Sequence, residues 1–410
     1  MARKTVLVIG TYDTKNDELT FLAEVIRGQG GQVVTMDVSV LGDPAAPTDH
    51  SKHDVAAAGG SSIAWAIASG EENEAMQIMA KGAATLTVRL FAQGVFDGVI
   101  VLGGTMGTDL ALDVCAALPL GVPKYIVSTV SFSALIPPDR VAADVQMILW
   151  AGGLYGLNSV CKATLAQAGG AVLGAARAAR KPQSGPPLIG MMSLGTSALR
   201  YVIPLKPALE ARGYEVAVFH ATGMGGRAFE SLAAQGAFAC VFDFCTQEVG
   251  NHLHGSSISA GPDRLTGAGL AGTPQLVAPG CYDLVDIVGW APVPDKWSTH
   301  PQRAHNRLLT SVVIDADERG AVAHAHAAQL ARATGPTALL LPERGLGEWD
   351  RAGADLYNPS GLAQFLDTLE ADAPANVDVH RIDAHINDAA FADLALQIFD
   401  GWRADGTVRP

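Results

Sequence analysis

The sequence predicts an α/β protein made of two Rossmann-like, doubly wound parallel-sheet domains. Three observations carry this. Short, mainly apolar runs recur at 6–10, 33–38, 98–102 and 123–128, the first and third of them unbroken, and helical spacing follows the first three. Unbroken apolar runs, rather than alternating ones, mark strands covered on both faces, and strands alternating with helices build a parallel sheet. The second half repeats the order, with runs at 188–192, 216–220, 238–243 and 274–278. The composition agrees: 49% of the 410 residues are hydrophobic and only 17% charged. That suffices for more than one ordinary core. Residues 180–187 (Arg-Lys-Pro-Gln-Ser-Gly-Pro-Pro) read as a linker, so the domains are set at 1–183 and 184–410.

Taken in order, residues 6–10 form the first strand and 11–15 its loop. Leu19, Leu22, Val25 and Ile26 follow at helical spacing, stopped by Gly28, Gly30 and Gly31. Asp37 closes the second strand, where carboxylates that read a ribose can lie; an Asp opening a turn reads equally well there. Residues 55–92 are mostly helical, with breaks near Gly59-Gly60 and Gly70. The strand at 98–102 then runs into Gly103-Gly104-Thr105-Met106-Gly107-Thr108 and another helix. A further strand ends at Ser128, and 149–179 read as helix.

A doubly wound sheet gathers its ligand-binding loops beyond the strand C-termini. Residues 11–15, 103–108 and 128–131 are therefore expected to converge. Glycines let backbone N–H groups approach a ligand, and a helix start adds partial positive charge, so the 103–108 loop suits a phosphate. Lys15 can pair with phosphate, and Asp13 can take a metal or a ribose hydroxyl. The bland alternative is a strand-to-helix turn capped by Asp13 or Thr14. The 103–108 loop matches neither Gly-Lys-Ser/Thr nor G-x-G-x-x-G.

In the second half, His220-Ala221-Thr222-Gly223-Met224-Gly225-Gly226-Arg227 is another glycine-rich helix opening. Gly225, Gly226 and Arg227 are candidates there for a carboxylate or phosphate. Asp243, Glu248, His252 and His254 follow the next strand; they suit a divalent metal, acid–base chemistry, or simply a polar interface. Residues 250–273, rich in Gly, Ser and Pro, are expected to form a mobile cover or a dimer contact.

Net charge is −13, with no Lys/Arg cluster, which argues against nucleic acid as a partner. The five scattered cysteines form no C-x-x-C and point to a reducing, cytoplasmic compartment. Cys245 and Cys281 close strands, as nucleophiles or as small buried hydrophobes. No apolar stretch is long enough for a membrane span.

The runs Gly10-Thr11-Tyr12-Asp13-Thr14-Lys15 and 103–108, with His220 to Arg227, His305-Asn306, 341–345 and His385-Ile386-Asn387-Asp388, resemble the UPF0261 family of Tm-1-like ATP-binding proteins. The resemblance spans essentially the whole chain. It implies ATP, with Mg2+, in the first domain, held by Thr11, Asp13, Thr14, Lys15 and the 104–108 loop, and self-association into a homodimer. Thr129-Val130-Ser131-Phe132 and 243–248 depart from the Thr- and Ser-rich loops of similar proteins, which leaves a second-domain substrate open. The alternative is a metabolic enzyme, a hydrolase or lyase of a small acid, with its chemistry in the second domain or between domains.

Overall fold

The computed structural model describes residues 3–180, 185–195 and 197–408; the linker residues 181–184 lie outside them. The chain divides into two compact units, Met1–Gln183 and Ser184–Pro410.

The first unit is a five-stranded sheet wrapped by helices. In chain order it contains β1 (Thr5–Gly10), α1 (Asn16–Gly28), β2 (Gln32–Asp37), α2 (Lys52–Ala58), α3 (Ile63–Ala68), α4 (Glu72–Ala92), β3 (Gly98–Gly103), α5 (Thr105–Ala117), β4 (Lys124–Ser128), β5 (Val145–Leu149) and α6 (Ser159–Ala178). The strand order is β2-β1-β3-β4-β5, and every pairing is parallel. β3 is buried along its whole length, which is why its sequence is an unbroken apolar run. One core, built on Leu7, Ile9, Val99, Val101 and α4, covers one face. A second, built on Val6, Val8, Ile100 and α6, covers the other.

The second unit contains β6 (Leu188–Ser193), α7 (Val202–Glu210), β7 (Glu215–His220), α8 (Met224–Ala234), β8 (Cys240–Asp243), α9 (Gln247–Leu253), α10 (Gly267–Leu270), β9 (Gln275–Val277), β10 (Leu284–Val288), β11 (Gln302–Ala304), β12 (Leu309–Val313), α11 (Ala316–Leu330), β13 (Thr337–Pro342), α12 (Pro359–Ala371), β14 (Val377–Ile382) and α13 (Ala389–Ala404). Six parallel strands run β14-β13-β9-β8-β6-β7. The first four strands of each unit thus share one winding: the second pairs on one side of the first, the third on the other, and the fourth lies beyond the third.

Between β9 and β13 the second unit inserts a three-stranded antiparallel sheet, β10-β12-β11. The sequence reading has no counterpart for this insertion, nor for edge strands β5 and β14. Both edges are only partly buried and lack a continuous apolar run. Among the described residues, no helix is long and apolar enough to cross a membrane.

Candidate functional site

β1 and β3 are neighbours whose chain connections leave in opposite directions, towards β2 and towards β4. Such a switch point opens a crevice beyond the strand C-termini. A cavity of about 670 Å3 lies there, lined by Thr11, Asp13, Thr14 and Lys15 after β1 and by residues 103–107 after β3. Thr105 and Met106 are exposed on its wall. Much of the remaining lining is apolar, including Val38, Ala66, Ile67 and Met76, with Glu71 and Glu72 at the start of α4.

Two helices begin at this cavity. Lys15 is the N-cap of α1 and Gly104 that of α5, and no side chain caps either end. The first-turn N–H groups of a helix lack intrahelical partners, and the macrodipole places partial positive charge on them. α1 carries Asp17 and Glu18 in its first turn, whereas α5 carries no acid there. The start of α5 is thus the stronger anion-binding end. Lys15 adds a full charge; its Nζ donates to Thr14 Oγ1 at 3.2 Å, and Thr14 Oγ1 lies 3.1 Å from Thr11 Oγ1.

Gly103 is required by the loop itself: a Cβ there would lie 2.5 Å from the Gly107 Cα. A Cβ on Gly104 would meet nothing closer than Thr129 Oγ1 at 3.8 Å, so space is left beside that residue. Asp13 Oδ2 accepts from Gly42 N at 3.2 Å, while its buried Oδ1 accepts no hydrogen bond.

Three expected site residues lie behind the cavity wall. Thr108 is buried; its Oγ1 donates to Gly104 O at 2.7 Å and lies 2.6 Å from Ser128 Oγ, which accepts from Val130 N. The Thr108 proton is committed to the carbonyl, so Ser128 donates, and the pair ties the loops after β3 and β4 together. Asp37 is not among the residues lining the cavity, and its buried Oδ2 accepts no hydrogen bond. Its carboxylate is buried, with Oδ1 accepting from Tyr12 N, Ser39 N and Ser39 Oγ, so it pins the loop after β1 to the end of β2.

Gly225, Gly226 and Arg227 open α8 in the second unit, but that helix start already holds an anion of the protein's own. Glu248 Oε1 accepts from Gly223 N at 2.6 Å and Gly226 N at 3.2 Å. A Cβ on Gly226 would lie 1.9 Å from Glu248 Oε2, so this glycine makes room for an internal carboxylate. The expected phosphate loop here is a structural joint.

The proposed metal cluster also dissolves. Arg264, 1% exposed, occupies its centre. Its guanidinium donates to Asp243 at 2.5 and 2.8 Å, to Glu248 at 2.8 Å, to Glu230 at 2.9 Å and to Cys245 O at 3.0 Å. A cation of the protein's own is thus built in among these acids, which leaves the polar-joint reading of the three. His252 contacts Ser259 and His254 contacts Glu318 O, away from that centre. Burial pushes Glu248 up to about 7, against the pull of Arg264 and Gly223 N. The sequence signal for this hub is faint: three acids, Glu230, Asp243 and Glu248, with one arginine in a Gly/Ser/Pro-rich stretch. Cys245 and Cys281 are buried, and the Cys281 thiol is held well above its usual range, first by its contact with Cys245 and then by burial. That disfavours a thiolate at Cys281.

Both halves match models of an uncharacterised protein family: the UPF0261 N-terminal domain over residues 4–181 and the UPF0261 C-terminal domain over 186–402. A UPF0261 protein of Brucella melitensis is 52% identical over 403 residues, covering 98% of this chain and 96% of that one. The ToMV resistance protein Tm-1(GCR237) of Solanum lycopersicum is 28% identical over 421 residues, covering 96% of this chain but only 55% of the tomato protein. Among solved structures, a UDP-N-acetylglucosamine 2-epimerase overlaps 68% of this chain and 79% of its own, at 11% identity and a TM-score of 0.21. So slight a likeness carries no argument about the site. By both family matches and the Brucella relative, this chain is a member of the UPF0261 family.

Proposed function

We propose that the first unit binds ATP, its phosphates at the starts of α1 and α5 and its base against the apolar lining. The observation that carries this is the pairing of two helix N-termini, neither capped by a side chain, with Lys15 at one switch-point cavity. In a chain of net charge −13, such local positive ends are what a polyanion requires. The cavity, about 670 Å3, falls within the range of small-ligand sites. Asp13, with one buried carboxylate oxygen lacking a partner, fits a Mg2+ ion accompanying the nucleotide. Bound there, the ion would screen the phosphate charge. Lys15, Thr11 and Thr14 would orient the phosphates.

Calorimetry on the full chain with ATP and Mg2+ tests the reading. Lys15→Ala should weaken binding by about 1–3 kcal/mol, the scale of a lost charged hydrogen bond. Equal affinity in both proteins removes Lys15 from the site. No binding by the wild type removes the nucleotide.

A further inference from the structure

We propose that the second unit holds a separate site for a small, uncharged polyhydroxylated molecule of about monosaccharide size, whose hydroxyl groups are read by Asp286 and Asn306. A cavity of about 260 Å3 lies at the C-terminal ends of β6 and β7, against the inserted antiparallel sheet. It is smaller than the roughly 300–1,000 Å3 typical of drug-sized ligands.

Asp286 lines it from β10 and is 1% exposed. Its Oδ1 accepts from Ser311 Oγ at 2.6 Å, and its backbone N–H donates to Asn251 Oδ1 at 2.8 Å. Its Oδ2 is buried and accepts no hydrogen bond of normal geometry, although the Gln247 amide is close enough to favour the charged form. Burial is the larger effect and raises the carboxyl above its ordinary range, with Ser311, Gln247 and His305 opposing it. A buried carboxylate oxygen left open is costly unless a donor reaches it. A ligand hydroxyl is such a donor.

Asn306 supplies the complementary groups. Its Oδ1 accepts from Leu308 N at 2.7 Å and Leu309 N at 3.1 Å, which fixes the amide orientation and leaves the NH2 group to donate. His220, at the end of β7, engages Ser193 Oγ through Nδ1 at 3.0 Å and keeps Nε2 for a ligand. Trp349, half-buried, adds an aromatic wall, with the Arg303 guanidinium 4.5 Å over its ring.

The ligand's charge follows from what is missing. Among the described residues no lysine or arginine lines this cavity, in contrast to the first unit's cavity with Lys15. The nearby start of α8 is filled by Glu248. Arg303 lies over the Trp349 ring but is already paired with Asp355 at 3.0 Å, so a phosphate or carboxylate would meet the Asp286 carboxylate without an unpaired lysine or arginine in the described lining to balance it. A neutral polyol meets alternating acceptors and donors.

Saturation-transfer NMR and thermal shift on the full chain test this, with xylose, glucose and xylitol as neutral probes and gluconate and glucose 6-phosphate as charged ones. At least one neutral probe should bind, more tightly than either charged probe. Asn306→Asp retains the acceptor that holds the turn but removes the NH2 donors; it should weaken binding about tenfold or more. Trp349→Ala should weaken it as well, and both variants should bind ATP as the wild type does. The proposal is overturned if no neutral probe binds the wild type, if a charged probe binds more tightly, or if neither variant changes the affinity. The ATP titration is independent, so failure of one site leaves the other standing.

Discussion

Two adjacent glycines in the 103–108 loop do different work. Gly103 sits where the loop folds back on itself, so Gly103→Ala would drive a Cβ into the Gly107 backbone at 2.5 Å. Gly104 has ordinary extended backbone, and a Cβ there has room. Gly103→Ala should therefore lower the melting temperature, by a cost of about 1–3 kcal/mol for overpacking. Gly104→Ala should melt within about 0.5 kcal/mol of the wild type yet weaken ATP by crowding the phosphate position. Equal melting losses in both would show that the loop is not packed as described. The sequence displays both glycines but does not separate the residue that shapes the loop from the one that leaves space. Asp37 carries the same lesson. Its position at the end of β2 suggests a ribose contact, and only the structure shows that its Oδ1 also holds the loop through Tyr12 N and Ser39.

At the scale of elements, the buried strands were legible because burial on both faces writes a continuous apolar run. The antiparallel insertion was not, because Asp286 interrupts the apolar run of β10, Thr310 and Ser311 interrupt that of β12, and β11 is mostly exposed. The stretch 250–273, expected to be a mobile cover or a dimer contact, packs into its own unit at its centre. Ala260, Arg264 and Leu265 are buried, and Glu230 accepts from Leu265 N and Gly267 N. Glycine content suggested hinges, but a Cβ on Gly267 would meet Glu230 at 2.7 Å, so close packing explains that glycine. Arg264 joins β8, α8, α9 and this stretch through three carboxylates. Removing one partner of a buried ion network strands the others without compensation, at about 3–5 kcal/mol. Arg264→Met should thus destabilise the second unit strongly in urea titrations, with a smaller loss for Arg264→Lys, which keeps the charge. A fully stable Met variant would mean that the hub is dispensable.

At the scale of the whole chain, the matching windings of the two sheets make the repeat visible in the sequence a real feature of the topology, while the sites differ because different groups fill the strand ends. The same interior sets the response to pH. His326 is buried, with Nδ1 donating to Val322 O at 2.8 Å and Nε2 accepting from Thr246 Oγ1 at 2.6 Å, a neutral ring with both nitrogens satisfied. Burial lowers it to about 4. The unfolded chain therefore binds the extra proton between about pH 6.5 and 4, and stability falls as pH falls through that window. Asp283 behaves oppositely. Burial, then the Asp350 carboxylate, raises it to about 7, and Asp350 itself accepts from Leu346 N and Gly347 N. The folded chain holds that proton, and stability falls as pH rises from about 4 to 7. In the wild type the two slopes oppose each other, each about 1.4 kcal/mol per pH unit at full strength. Single variants should expose them. Asp283→Asn leaves the histidine slope, so its melting temperature should rise from pH 4.5 to 6.5 more steeply than the wild type's. His326→Gln leaves the aspartate slope, so its melting temperature should fall over the same range relative to the wild type's. Parallel pH profiles for all three proteins would show that neither group is held in the protonation state its neighbours impose.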